Sequence, residues 1–172
     1  MSEVSKPTQI DFKKIFAEFL ENKKQLKVIS VASCDSSCHP NSAPKMLIDI
    51  AEPNRVYFLD YRFTKTYSNI QKNSIVSVSF MDDDSFTGYR LTGSCEILSS
   101  GKEYEVAKKS WEKKLISYEA DRIVKRVTGR YSTREAENVL PKDFVVVKIL
   151  AEEASTVKPD RVLRAVHAKT EH

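Results

Sequence analysis

The period of the apolar positions changes several times along this chain, and each change marks an element. In "PTQIDFKKIFAEFLENKKQ", Ile10, Ile15, Phe16, Phe19 and Leu20 recur at three- and four-residue spacing, with Asp11 as a suitable N-cap. That spacing predicts an amphipathic helix that lids a sheet. The β-branched run "LKVISVAS" then predicts a strand, the polar "CDSSCHPN" a turn, and "SAPKMLIDI" the second arm of a hairpin. After the turn signal "AEPN", the run "RVYFLDY" reads as a third strand. "SIVSVSFMD" reads as a fourth, with Ile75, Val76, Val78 and Phe80 as its apolar members. Past "DDSFTG", "YRLTGSCEILS" reads as a fifth strand with Leu91, Gly93 and Cys95 on one face.

The period then returns to that of a helix over "GKEYEVAKKSWEKKLISYE", and again over "STREAENVL", which opens on a capping box from Ser132 to Glu135. "DFVVVKIL" predicts a closing strand. Five successive strands, a helical excursion and a closing strand specify a mainly β chain with flanking helices, a small antiparallel barrel of the α+β class. Long helices do not alternate with the strands, and neither Gly-x-Gly-x-x-Gly nor a P-loop occurs, which excludes the doubly wound dinucleotide and Walker-type folds. We read residues 1–172 as one domain: a barrel core over 26–100, a helical insert over 101–140, and a closing strand with its tail over 143–172.

Composition refines this picture without changing it. A chain of 172 residues with 41% hydrophobic and 30% charged content can bury a real core. Its sequence has no run of about 20 apolar residues, and "MSEVSKPTQIDFKK" lacks the apolar stretch of an export signal, so the cytoplasm is the expected compartment. The net charge of +4 is concentrated in residues 101–135, with 10 Lys/Arg against 6 Asp/Glu, while the rest carries 18 of each. Those charges alternate in sign, as on a solvated helix face, so nucleic acid is not the expected partner. Cys34, Cys38 and Cys95 form no disulfide framework, and "CDSSCH" has no second Cys/His pair to complete a metal shell.

The candidate chemistry lies in "LDYRFTKTYSNIQKNSIVSVSF". The third strand ends near Asp60, and Thr64 can cap a short helix that runs to about Lys72 with Ile70 turned to the core. Lys65 and Thr66 would stand at the start of that helix, where unpaired N–H groups favour an anion, and together they suit a phosphate. A surface lysine beside a structural threonine satisfies the same pattern. Asn69, one turn on, can brace the loop. In the second strand, Ala43-Pro44 removes a ladder donor and predicts a bulge whose freed backbone groups could meet a flat polar ring. Phe58, Leu59 and Tyr61 are candidates for its apolar wall.

The order "LKVISVAS…CHPNSAPKMLI…RVYFLDYRFTKTYSNIQKNSIVSVSFMD…TGYRLTGSCEIL" resembles the FMN-binding split-barrel superfamily, in particular its pyridoxamine 5′-phosphate oxidase-like branch and small FMN-binding proteins. The most specific parts are Lys65-Thr66-x-x-Asn69 and "YRLTG". The resemblance implies FMN as cofactor, with Lys65 and Thr66 on its phosphate, Asn41, Ser42, Ala43 and Pro44 beside the ring, and Leu59 and Asp60 bordering it. It also implies a homodimer and a flavin-dependent oxidoreductase or flavin reductase acting on a small substrate or electron partner. The alternative is a non-enzymatic flavin or haem binding module. No catalytic side chain is assigned. The oxidase branch closes with a tryptophan and Arg-Leu-x-Pro, whereas this chain ends "STVKPDRVLRAVHAKTEH", so vitamin B6 oxidation is not implied. Arg161, Arg164 and His167 could serve as ligands of a substrate phosphate, but three apart they read rather as one solvated face of a helix.

Overall fold

A computed structural model describes residues 28–51, 53–82, 87–127, 144–157 and 162–166. The elements in order are β1 (Val28–Cys34), β2 (Pro40–Ala51), β3 (Arg55–Asp60), α1 (Lys65–Ile70), β4 (Ile75–Asp82), β5 (Thr87–Leu98), α2 (Lys102–Val127), β6 (Val145–Val157) and β7 (Val162–Val166). The N-terminal helix and the capping-box helix expected from the sequence lie outside the described residues, as do Arg161 and His167.

The strands are antiparallel in the order β3-β2-β1-β4-β5-β6-β7, and β3 also pairs with β6. Six strands therefore close into a barrel, with β7 as a flap on β6. One edge of β6 serves both partners: its first half pairs with β3 from Val145↔Asp60 to Leu150↔Arg55, and its second half pairs with β7 from Glu153↔Val166 to Val157↔Val162.

Strand β1 alternates strictly, with Ile29, Val31 and Ser33 facing inward and Val28, Ser30 and Ala32 exposed. Strand β3 does not alternate, because both of its faces are covered. Val56 and Phe58 join the barrel core with Val31, Val76, Leu91 and Ile149. Tyr57 and Leu59 point the other way into a second cluster with Ile48, Val146, Ala107 and Trp111, where α2 lies on the barrel wall. Phe58 thus belongs to the core rather than to a ring-binding wall. Trp111 and Tyr104 on α2 pack within the chain, against that outer face.

The proline strand corrects an expectation. Its register against β1 is unbroken from Val28↔Met46 to Cys34↔Pro40, so no bulge interrupts it at Ala43-Pro44. Pairing with β3 begins only at Met46↔Leu59, so among the described strands residues 40–45 pair with β1, and a proline there breaks no ladder with β3. The bulge falls at Ile48, between Leu47↔Phe58 and Asp49↔Tyr57. Lys114 Nζ on α2 donates to the Ile48 carbonyl, and Ser110 Oγ donates to Asp49 Oδ2 at 3.0 Å, so the helix takes up polar groups around the irregularity.

The C-terminal region also differs from expectation. Strand β6 continues seven residues past "DFVVVKIL", and β7 pairs with that extension, placing Arg164 opposite Ser155 in a strand rather than on a helix. The extension "AEEASTV" has few large apolar residues, so its strand character comes from pairing with β5 and β7 rather than from an apolar signal of its own.

Candidate functional site

One end of the barrel is polar, and the helix after β3 organises it. Thr64 caps α1: its hydroxyl accepts from Tyr67 N–H at 3.0 Å and donates to Asp60 Oδ1 at 2.8 Å. The N–H groups of Lys65 and Thr66 in this first turn have no intrahelical acceptor. Ile70 enters the barrel core, which pulls Thr66 and Asn69 inward until each is only 1% exposed. Asn41 on β2 donates through Nδ2 to Thr66 Oγ1 (3.2 Å) and Ser33 Oγ (3.3 Å), and Asn69 Nδ2 donates to the same Ser33 oxygen at 3.2 Å. The first hairpin and α1 are thereby locked together.

Deeper in the same end, Lys45 Nζ lies 2.5 Å from Asp60 Oδ1, both side chains being buried. Tyr61 N–H also donates to that oxygen at 2.7 Å. Asp60 Oδ2 is buried and has no hydrogen-bond partner among the described residues. Sequence reading missed Lys45 because a lysine in a strand normally marks the solvent face, and only its partner on β3 explains it.

The structure therefore divides the sequence-expected residues into three groups. Lys65 is outside, its side chain 57% exposed, and its ammonium reaches Asp35 Oδ2 at 3.3 Å. Ser42 and Pro44 are on the exposed outer face of β2, with Ser42 Oγ 3.0 Å from Ser30 Oγ. Asn41 and Ala43 are half-buried, while Thr66, Leu59 and Asp60 are buried. Asn41 and Thr66 touch, and Lys65 follows at the rim. Leu59, beneath α2, belongs to the other face of β3.

Two features of the rim go beyond the expected residues, of which Tyr61 was one. Tyr61 and Phe63 stack with ring centroids 5.5 Å apart, and Phe63 is 87% exposed, leaving an aromatic shelf two residues before Lys65. Burial and the Asp60 carboxylate both push the Tyr61 phenol above its ordinary value. The other feature is Asp35 in the β1–β2 turn, whose Oδ1 accepts from Ser37 N–H and His39 N–H, both at 3.0 Å. The hydrogen bond from His39 N–H leads in lowering its pKa from 3.8 to about 2, with Ser37 N–H and Lys65 adding to it. The signal for it was the "CDSSCH" turn, since aspartate at a turn start binds backbone N–H two residues on.

A concavity of about 500 Å³ lies at the far end of β3 against the start of α2, lined in part by Arg55, Tyr57, Glu103 and Lys148. Its charges serve each other. Tyr57 Oη donates to Glu103 Oε1 at 2.7 Å, and Lys148 Nζ bridges Glu103 (3.0 Å) and Glu96 (2.8 Å). Burial first, and then Glu103, pushes the Tyr57 phenol up to about 12. Hydrogen bonds from Tyr57 and then Lys148 hold Glu103 below the ordinary carboxylate range. The cluster ties α2 to β3 and β6, and its Glu103 contribution fades as pH falls below that range.

Comparison with known proteins follows this geometry. The family model described as pyridoxamine 5′-phosphate oxidase matches residues 13–158. The chain belongs to the pyridoxamine 5′-phosphate oxidase family. Among solved structures of this fold, a Clostridium acetobutylicum protein related to general stress protein 26 is 17% identical. The match covers 90% of this chain and 95% of that one, with a TM-score of 0.60. A pyridoxamine 5′-phosphate oxidase-related, FMN-binding protein from Nostoc punctiforme is 10% identical over 95% of both chains, with a TM-score of 0.60. A haem-binding protein from Mycobacterium smegmatis is 12% identical over 95% of this chain and 60% of that one, with a TM-score of 0.62. No curated protein matches in sequence. The family fold thus occurs in an FMN-binding and in a haem-binding protein. Among the described residues of this family member, no helix is long and apolar enough to cross a membrane.

Proposed function

We propose that this chain binds FMN at the polar end of the barrel and acts as a flavin-dependent oxidoreductase on a small substrate or electron partner. The observation that carries the reading is the exposed Lys65 ammonium at the start of α1, beside the stretch of β2 that has no β3 neighbour. Lys65 and the first-turn N–H groups meet the phosphate. The free edge of residues 41–44 offers backbone donors and acceptors to a planar ring. Thr66, buried and bonded to Asn41, works from behind by fixing β2 against α1. Leu59 and Asp60 border the site through their backbone, and Asp60 steadies the turn by accepting from Thr64 and Tyr61. Bound there, FMN would supply a ring that exchanges hydride or single electrons, and the chain would orient it.

The test is a fluorescence titration with FMN and with riboflavin, which lacks the phosphate. The wild-type chain is expected to prefer FMN, and Lys65→Ala to lose about tenfold in FMN affinity, the worth of one charge-assisted hydrogen bond, while riboflavin is unaffected. An unchanged FMN affinity in Lys65→Ala would remove the phosphate assignment. A Soret band in the purified protein, with no flavin uptake, would replace the reading with a haem-binding module.

The same reading makes the functional unit a homodimer in the cytoplasm. Its support is the outer face of the β2-β1-β4 sheet, where Val28, Ile75 and Met81 are each at least half exposed among small residues such as Ser30, Ala32 and Ser42. Sedimentation at micromolar concentration is expected to give twice the chain mass of 19.6 kDa. A monomer at all concentrations would refute it.

A further inference from the structure

We propose that Asp35 is an internal counter-ion of the phosphate site: it holds Lys65 when no phosphate is present, and an incoming phosphate must draw the ammonium away from it. This rests on the reading of Lys65 as the phosphate-binding cation. The two partners differ in freedom. Asp35 is fixed, because its Oδ1 accepts from Ser37 N–H and His39 N–H while its backbone N–H donates to the His39 carbonyl at 3.2 Å. Its carbonyl accepts from Cys38 N–H at 3.0 Å, and Cys38 closes the turn in the left-handed region at φ 62°. The carboxylate therefore cannot swing aside when an anion arrives. With its pKa held near 2, it is also charged wherever a phosphate monoester is.

Lys65 is the mobile partner. Its side chain is 57% exposed on a flexible stem, and its one ion pair among the described residues, at 3.3 Å to Asp35 Oδ2, leaves two ammonium protons for another acceptor. Exposed ion pairs of this kind are weak, so a phosphate in the turn can take the lysine. What remains beside a bound dianion is the Asp35 carboxylate, with the His39 ring Nδ1 still 3.3 Å from each of its oxygens and its charge partly screened over a Debye length of about 8 Å at physiological salt. The result is a site that recognises phosphate but does not retain it strongly. FMN would then load and leave, as suits a flavin that is exchanged rather than permanently held.

The measurement is the ratio of FMN to riboflavin affinity, with the FMN dissociation rate, for the wild-type chain and Asp35→Asn. Asparagine can accept the same turn N–H bonds, so the hairpin is retained. Asp35→Asn is expected to tighten FMN by about threefold to tenfold, in keeping with the small worth of exposed charge pairs. FMN dissociation should slow, riboflavin should be unchanged, and the gain should shrink at 0.5 M salt, where screening is about twice as strong as at 0.15 M. If Asp35→Asn fails to fold, Asp35→Ser supplies the same comparison. An unchanged or lowered ratio would overturn the proposal, the latter making Asp35 a residue that positions Lys65. A wild-type chain without preference for FMN over riboflavin would overturn the phosphate reading itself, and this is seen before any Asp35 variant is made.

Discussion

Lys45→Met is expected to cost about 3–5 kcal/mol of folding stability, the usual consequence of removing one partner of a buried ion pair. The cost lies in what stays behind. Without Lys45, the Asp60 carboxylate would keep, among the described residues, Thr64 Oγ1 and Tyr61 N–H on Oδ1 and no hydrogen-bond partner on Oδ2. A buried charge left so poorly matched is expensive even though the intact pair itself need not add net stability. The double variant Lys45→Met/Asp60→Leu is therefore expected to recover most of the loss, since a well-packed apolar pair can replace a buried ionic one. Urea unfolding of the two single variants and the double variant measures the coupling between the positions. Equal instability of the single and double variants would show that the residues are needed for their shapes or for Thr64, not as a pair.

Gly93→Ala is expected to be as damaging, at about 3 kcal/mol or more, through sterics alone. A Cβ on Gly93 would lie 1.9 Å from the Leu150 carbonyl oxygen, 2.8 Å from its carbon and 3.0 Å from Ala151 Cα. All of these are backbone atoms, so no side chain can rotate away. The crowding coincides with the irregularity between Thr92 and Gly93, where β5 passes from Glu153 to Ala151 as its partners and skips Glu152. Asn54 is bound at the same place, donating through Nδ2 to the Ala151 carbonyl at 2.8 Å and accepting from Ala151 N–H through its own carbonyl at 2.9 Å. Thermal unfolding followed by circular dichroism tests the substitution. A melting temperature within a degree or two of wild type would mean that the strands can separate there at little cost.

The elements that could be read in the sequence are those whose local signal and tertiary fate agree. The alternation of β1, the apolar run of β3 and the Thr64 cap with Ile70 turned inward each hold in the structure, because burial simply reinforces propensity there. What could not be read depends on neighbours. The end of β6 exists through its pairing with β5 and β7, and β7 through its pairing with that end. Pro44 suggested a bulge, whereas the bulge formed at Ile48, where α2 supplies Lys114 to the Ile48 carbonyl. Lys65 and Thr66 were legible as neighbours at a helix start, with Asn41 placed apart from them in the second strand, but the contact of Asn41 with Thr66 and the division into an exposed cation and a buried brace were not, since they follow from how far Ile70 pulls α1 into the barrel. Asp35 carried a turn signal in "CDSSCH", but its pairing with Lys65 could not be read for a similar reason: only the closed hairpin brings it to a lysine far along the chain.

The pairing of β3 with β6 also sets the order in which the molecule can assemble. Residues 55–60 find their second neighbour only in residues 145–150, at the far side of the chain, while β1, β2 and β3 can pair as soon as they exist. Closing so large a loop is entropically slow, and contacts between distant residues lengthen folding times. On the ribosome, "RVYFLD" would wait with one edge and one apolar face open until residues 145–150 had been made. The seam that makes the barrel is thus also its period of greatest exposure to aggregation.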